Sequence, residues 1–224
     1  MTFSIVARCA KTGQFGMAVA SSSPAVAARC AYARAGVGAA ASQNVTDPRL
    51  GPAALDQLAA GLDARAALNA VIGAAEHVEY RQLLIVDRDG NTAIHSGGKS
   101  LGIHTEHAAR DVAAAGNLLA NDTIPRAMVE AFLSSEGHLG DRLITAMRGA
   151  LAAGGEAGPV HSAGMLLVDR RDWPLAELRC DWSEDCPIEN IAAAWDVYSP
   201  QMDDYVTRAL DPSAAPSYGV PGDE

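Results

Sequence analysis

Thr2-Phe3-Ser4-Ile5-Val6-Ala7-Arg8-Cys9, then Lys11-Thr12-Gly13-Gln14-Phe15-Gly16, then Met17-Ala18-Val19-Ala20-Ser21 is the stretch on which the fold turns. Its first part alternates loosely and is rich in residues that favour strands. The middle carries turn chemistry in Thr-Gly-Gln, and the last part is a second short apolar strand. The chain therefore opens with a β-hairpin, and its first strand begins at the second residue.

Working outward, Pro24 interrupts a loose Ala-rich stretch, and Gly36 to Ser42 reads as a third strand of small residues. Pro52 to Ala60 and Ala64 to Ala75 carry apolar residues three and four apart around a break at Gly61, which predicts two helices. Leu83–Val86 and Thr92–His95 flank Asp87-Arg88-Asp89-Gly90, a second hairpin with Asp-Gly at its turn. Asp111 to Ala115 follows as a strand. Thr123-Ile124-Pro125 starts a helix, with Thr123 as the expected N-cap, and Asp141 to Ala152 forms its partner, ended by Gly154-Gly155. Ser162–Asp169 and Leu175–Asp181 are the last strands, and Pro187 to Arg208 is a closing helix. Strands in groups, separated by helix pairs, fit two stacked sheets between helical layers better than a parallel βαβ arrangement. We expect one domain over residues 2–210 and a Pro/Ser/Gly-rich flexible tail over 211–224.

The 224 residues are 49% hydrophobic and 20% charged, with a formal net charge of −10. This suits one soluble globular domain. No basic stripe is available to displace counterions from phosphates, so a nucleic-acid partner is not expected. No apolar run approaches the roughly 18 residues of a membrane span, and no secretory leader pattern opens the chain, which reads as cytoplasmic. Ala-rich helices on layered sheets leave flat faces, from which we expect a homo-oligomer. Cys9, Cys30, Cys180 and Cys186 lack a close Cys-x-x-Cys pair and read as reduced thiols.

Phosphate loops, dinucleotide fingerprints and the Gly-x-Ser-x-Gly elbow are absent. The six histidines show no His-Glu-x-x-His spacing, and His104 and His107 sit in a Gly/Thr-rich loop, so neither metal nor cofactor is expected. Thr2 is different. Its side chain is small enough for Met1 to be removed, and a terminal threonine pairs a hydroxyl nucleophile with an α-amine of pKa about 8. That amine can take the hydroxyl proton directly or through one water, so one residue supplies nucleophile and base.

Thr2–Arg8 followed by Thr12–Ser21 resembles the opening of a bacterial family of unassigned function within the Ntn (N-terminal nucleophile) hydrolase-like superfamily, related in fold to proteasome subunits. Ala33-Arg34-Ala35-Gly36-Val37-Gly38-Ala39, Gly51-Pro52 with Leu55, Arg81-Gln82, Gly116-Asn117-Leu118-Leu119-Ala120, Gly154-Gly155 and Ser162-Ala163-Gly164 continue the similarity in order, over roughly residues 2–195. The resemblance implies an α+β, four-layer αββα sandwich of two antiparallel sheets, with Thr2 facing a cleft between them.

It also implies roles, each beside a plainer alternative. Arg34 stands where proteasome-like relatives carry a lysine, and a guanidinium near Thr2 would favour the neutral amine; otherwise it is a salt-bridged surface arginine. Asn117 is an oxyanion donor or a turn residue. Ser21 and Ser22 bridge to the Thr2 amine or cap the loop before Pro24. Arg81 and Gln82 anchor a substrate carboxylate or carbamoyl group or form a strand-edge pair, and Asn44 is a further cleft-lining residue. The chain departs from the family pattern at Gly154-Gly155-Glu156-Ala157-Gly158-Pro159-Val160-His161, where His161 replaces a glutamine, and at Ser22, where relatives have arginine. Losing the arginines makes the pocket less suited to an anion. The expected function is hydrolysis of a small-molecule amide, carbamoyl or cyclic-amide C–N bond by Thr2. The alternative is a noncatalytic module of the same fold that binds a metabolite or a protein.

Overall fold

The computed structural model describes residues 1–221. In chain order the elements are β1 (Thr2–Arg8), β2 (Phe15–Ser21), α1 (Ala27–Cys30), β3 (Ala31–Arg34), β4 (Gly38–Asn44), α2 (Leu50–Ala59) and α3 (Ala64–Ala74). The second half comprises β5 (Arg81–Asp87), β6 (Thr92–Ser96), β7 (Thr105–Ala109), β8 (Val112–Asn117), α4 (Ile124–Ser134) and α5 (Leu139–Ala152). It closes with β9 (Ser162–Val168), β10 (Ala176–Cys180), α6 (Pro187–Tyr198) and α7 (Met202–Leu210).

Two antiparallel sheets result. One has the order β10-β9-β2-β1-β8-β7, and the other β3-β4-β5-β6. Three apolar layers hold them together. Phe3, Ile5 and Ala7 of β1 point to a layer shared with Met128, Phe132, Leu143 and Trp195 of α4, α5 and α6. Val6, Met17, Val19, Ala39, Ala41, Leu84, Ala113 and Ala115 fill the space between the sheets. Leu83, Ile85 and Ala40 pack on Leu55, Leu58, Leu68 and Val71 of α2 and α3. The architecture is the expected α+β, four-layer αββα sandwich. Its order follows from strands that are apolar on both faces and helices that are apolar on one. The inter-sheet layer mixes alanines at Ala39, Ala41, Ala113 and Ala115 with larger residues such as Val6, Met17, Val19 and Leu84. At Gly38, on the face of β4 toward α2, a β-carbon would collide with the Val86 carbonyl of the neighbouring strand and with Leu58 of α2.

Several boundaries differ from the sequence expectation, each for a local reason. The Ala-rich stretch after Pro24 holds α1 and the edge strand β3, too short to show a period. β7 lies in what reads as a loop, because Thr105-Glu106-His107-Ala108-Ala109 is an edge strand with little apolar content. Thr123 holds the N-cap position of α4, as expected, but its side chain makes no capping hydrogen bond. Instead the Thr123 hydroxyl and backbone N–H both donate to Asn121 Oδ1, at 2.6 and 2.9 Å, fixing the entry into the helix. The single helix expected over Pro187–Arg208 breaks at Ser199–Gln201, where Pro200 has no N–H to continue the ladder. Of the expected tail, residues 211–221 are described. There the Arg208 guanidinium donates to the Pro216 carbonyl at 3.0 Å and stacks on Tyr218. Residues 222–224 lie outside the described residues.

Candidate active site

Side chains alternate along a strand, so Thr2 and Ser4 share the face of β1 that carries Val6 into the inter-sheet layer. The same count places Ser21 of β2 with Val19 and Met17, and Asn117 of β8 with Ala115 and Ala113. On the facing sheet, Gln43 goes with Ala41 and Gln82 with Leu84. Six polar side chains thus close one end of an otherwise apolar layer. Register brings them into contact: Thr2 lies opposite Asn117 on β8, and Phe3 opposite Ala20 on β2.

Each group has defined partners. The Thr2 hydroxyl is 3.2 Å from the Ser21 hydroxyl, and Thr2 is only 7% exposed. Both hydroxyls donate to the carbonyl oxygen of Met1, Thr2 at 2.5 Å. Ser4 Oγ donates to Gln43 Oε1 at 2.6 Å. Gln43 Nε2 donates to Gln82 Oε1 and to the Ala115 carbonyl, each at 3.1 Å. Asn117 Nδ2 donates to Gln82 Oε1 at 3.0 Å, and Gln82 Nε2 donates to Ser96 Oγ and the Gly116 carbonyl. This network satisfies the buried amides and ties the sheets together beneath Thr2.

The loop Gly154–Gly158 forms the rim. Gly154 and Gly155 have φ of 121° and 63°, a left-handed path open to glycine. That path lets Glu156 form a β-bridge with Leu119 beside Asn117. The Glu156 carboxylate is turned inward and 5% exposed. Its Oε2 accepts from the Ser22 backbone N–H at 3.1 Å, while Oε1 has no partner. Burial pushes the carboxyl up to a pKa of about 7, opposed by the ammonium at the start of the chain and by the Ser22 N–H. Sequence reasoning noted this loop as a departure but did not name Glu156 as a site residue. The signal was an acidic side chain directly after two glycines in a segment otherwise lacking charge.

The remaining expected residues separate into two groups. Ser22 reaches the site through its backbone N–H rather than its hydroxyl. His161 braces it: its N–H donates to the Ser21 carbonyl at 2.9 Å, and its ring stacks on Trp182 at 4.4 Å between centroids. Arg34 lies at the other end of the sheets, paired with Gly38 across β3–β4, and its guanidinium donates to exposed Asp56 at 2.8 Å. It is the salt-bridged surface arginine. A groove of about 540 Å³ adjoins it, lined also by Arg170, Arg171, Asp172, Trp173 and Glu177, with no Ser, Thr or Cys among the lining residues.

Arg81 and Gln82 cannot both line the cleft, because neighbours on a strand face opposite sides. Gln82 faces inward, while Arg81 shares the face of Leu83 and Ile85, toward α2 and α3. Asn44 follows Arg81 outward and ends β4 at φ 74°, its amide donating to the Tyr80 carbonyl at 2.5 Å and accepting from the Leu101 N–H. Its work is to shape a loop. Among the described residues no His, Cys, Asp and Glu group could hold a metal, and no helix is long and apolar enough to cross a membrane. Cys9 and Cys30 are buried free thiols, and Cys180 and Cys186 are half-buried.

What the arrangement offers chemically is a hydroxyl pair at the head of a strand, a carbonyl oxygen held by both, and a buried carboxyl with one oxygen unused. A protein of known structure from Silicibacter pomeroyi, described as a member of the family DUF1028, is similar to this chain. It is 30% identical with a TM-score of 0.82, over 88% of this chain and 89% of its own. The ancestral beta-subunit Anbu of Yersinia bercovieri aligns over 93% of this chain and 97% of its own, at 11% identity and a TM-score of 0.38, where neither fold nor function transfers. No curated protein matches. Residues 2–191 match the family of unknown function DUF1028, and the chain belongs to that family.

Proposed function

We propose that the protein is an N-terminal-nucleophile amidohydrolase that cleaves a C–N bond in a small amide, carbamoyl or cyclic-amide molecule, with Thr2 as nucleophile after removal of Met1. One observation carries this reading. The Thr2 hydroxyl sits almost fully buried at the head of β1, against a second hydroxyl at 3.2 Å and opposite Asn117, with buried Glu156 held on the Ser22 N–H nearby.

In the proposed reaction the α-amine of Thr2 takes the Oγ proton as Oγ bonds to the substrate carbonyl carbon. The electron pair of the C=O bond moves onto oxygen, where the Ser21 hydroxyl stabilises it, as that hydroxyl already donates to the Met1 carbonyl. Asn117 assists with the N–H not committed to Gln82. Return of the electron pair breaks the C–N bond, and the proton held by the amine passes to the leaving nitrogen. Water then enters by the same route and releases the acid from the ester. Arg34 has no part in this scheme, so burial of the Thr2 amine takes over the task of keeping it neutral.

The second reading, a noncatalytic binding module, is favoured by the Met1 carbonyl engaging both hydroxyls. A panel of small amides, ureas and lactams separates the two. Hydrolysis by the wild type, lost in a folded Thr2→Ala variant, supports catalysis. Equal turnover by both proteins removes Thr2 from the reaction.

A further inference from the structure

Met1 occupies the notch as an aminoacyl group, its carbonyl and thioether in contact with the wall and its ammonium close enough for its charge to act on a buried carboxyl. Its carbonyl oxygen accepts from Thr2 Oγ and Ser21 Oγ. Its thioether lies over Gly158, where a β-carbon would stand 3.0 Å from Cε and 3.7 Å from Sδ. Its ammonium charge acts on the Glu156 carboxyl, the one buried side chain in the notch with an oxygen lacking a partner. A carboxyl 5% exposed with an unused acceptor is costly unless a donor arrives, which fits a cationic or N–H-bearing ligand.

The nitrogen and Oγ of one threonine are joined through only two carbons. An acyl group on Oγ therefore occupies much of the space that the Met1 acyl group occupies on nitrogen. From this juxtaposition we propose that the substrate acyl group is an α-amino acyl group with a free ammonium and an unbranched apolar side chain, Glu156 binding the ammonium and Gly158 admitting the side chain.

The inference rests on the proposed hydrolase reading and narrows it: amino-acid amides, or short peptides with a free amino terminus, are the substrates. A substrate ammonium held by Glu156 also places positive charge near the Thr2 amine, which favours the neutral base that the reaction needs. The step balances as before. Oγ bonds to the aminoacyl carbon, the C–N bond breaks, ammonia or an amine leaves with the proton carried by the Thr2 amine, and water releases the free amino acid.

The test compares methioninamide with its desamino analogue, 4-(methylthio)butanamide, on protein whose intact mass shows Met1 removed. The expected result is a preference for methioninamide of about tenfold to a hundredfold in kcat/KM, as a charged hydrogen bond contributes. That preference collapses in Glu156→Gln and is partly restored in Glu156→Asp. Equal rates for the two amides overturn the inference while leaving the hydrolase reading intact. If neither amide is cleaved, calorimetry on Thr2→Ala decides the inference. Methioninamide binding that is weakened by adding Glu156→Gln upholds the ammonium site, and absence of binding, or binding indifferent to that change, overturns it.

Discussion

Replacing Glu156 by glutamine alters the pH dependence of stability in a direction the structure dictates. The folded protein holds the Glu156 carboxyl at a pKa of about 7, above its ordinary value of 4.5, chiefly because burial penalises the charged form. Between those two values the folded state binds more protons than the unfolded state. Stability contributed by this group is therefore complete below pH 4.5 and is lost as pH rises to about 7. The interval corresponds to about 3 kcal/mol at roughly 1.4 kcal/mol per pH unit, with about 2.5 kcal/mol of it falling between pH 5 and pH 8.

Glutamine keeps the shape and the acceptor for the Ser22 N–H but never ionises. Urea unfolding of wild type and Glu156→Gln at pH 5 and pH 8 should show the variant gaining about 2.5 kcal/mol relative to wild type at the higher pH. Any constant cost of burying the new amide appears equally at both pH values and cancels. Parallel stability curves across that range would show that Glu156 is not held as an uncharged, buried acid, and the account of the notch would fail there.

Gln82→Leu strips acceptors from two buried amides, Gln43 and Asn117, and donors from Ser96 and the Gly116 carbonyl. At about 1–3 kcal/mol per orphaned group, chemical denaturation should register a loss of about 3–5 kcal/mol, and a loss below about 1 kcal/mol contradicts the network. Gly38→Ala forces a methyl group against the Val86 carbonyl and to 2.8 Å from Leu58 Cδ1. Overpacking of this kind costs about 1–3 kcal/mol, readable as a lowered Tm, and an unchanged Tm speaks against the close packing of α2 and β5 around Gly38. Asp87→Ala removes a carboxylate that accepts from the backbone N–H groups of Ala64, Asp89 and Asn91. We expect about 3 kcal/mol of destabilisation by urea titration, and a neutral substitution would refute the role of Asp87 in holding α3 to the hairpin.

The layered fold was legible because the decisive signals are local. Alternation in β1, Asp-Gly in the second hairpin, three-to-four spacing in α2 and α3, Thr-Ile-Pro at the start of α4 and Gly-Gly after α5 each specify an element without reference to distant residues. Alternation also carries Thr2, Ser21 and Asn117 to one face, so three expected site residues converge by counting alone. What the sequence hid depends on pairing between segments far apart. Arg34 reads as a neighbour of the site only if β3 runs toward Thr2, and the antiparallel pairing of β3 with β4 sends it the other way. The Arg81-Gln82 pair ignores that adjacent strand residues diverge. Glu156 enters the site through a left-handed glycine pair that docks on Leu119, a contact between residues that no local period links.

The claim on which the functional account depends is that the mature chain presents a free amine and a reactive hydroxyl on Thr2. Incubation with a small β-lactone, followed by intact-mass and peptide mapping, reads both at once. The account predicts loss of Met1, one acyl group per chain, its location on Thr2, and no adduct in Thr2→Ala. A chain that keeps Met1 and stays unlabelled, or carries the label elsewhere, contradicts it.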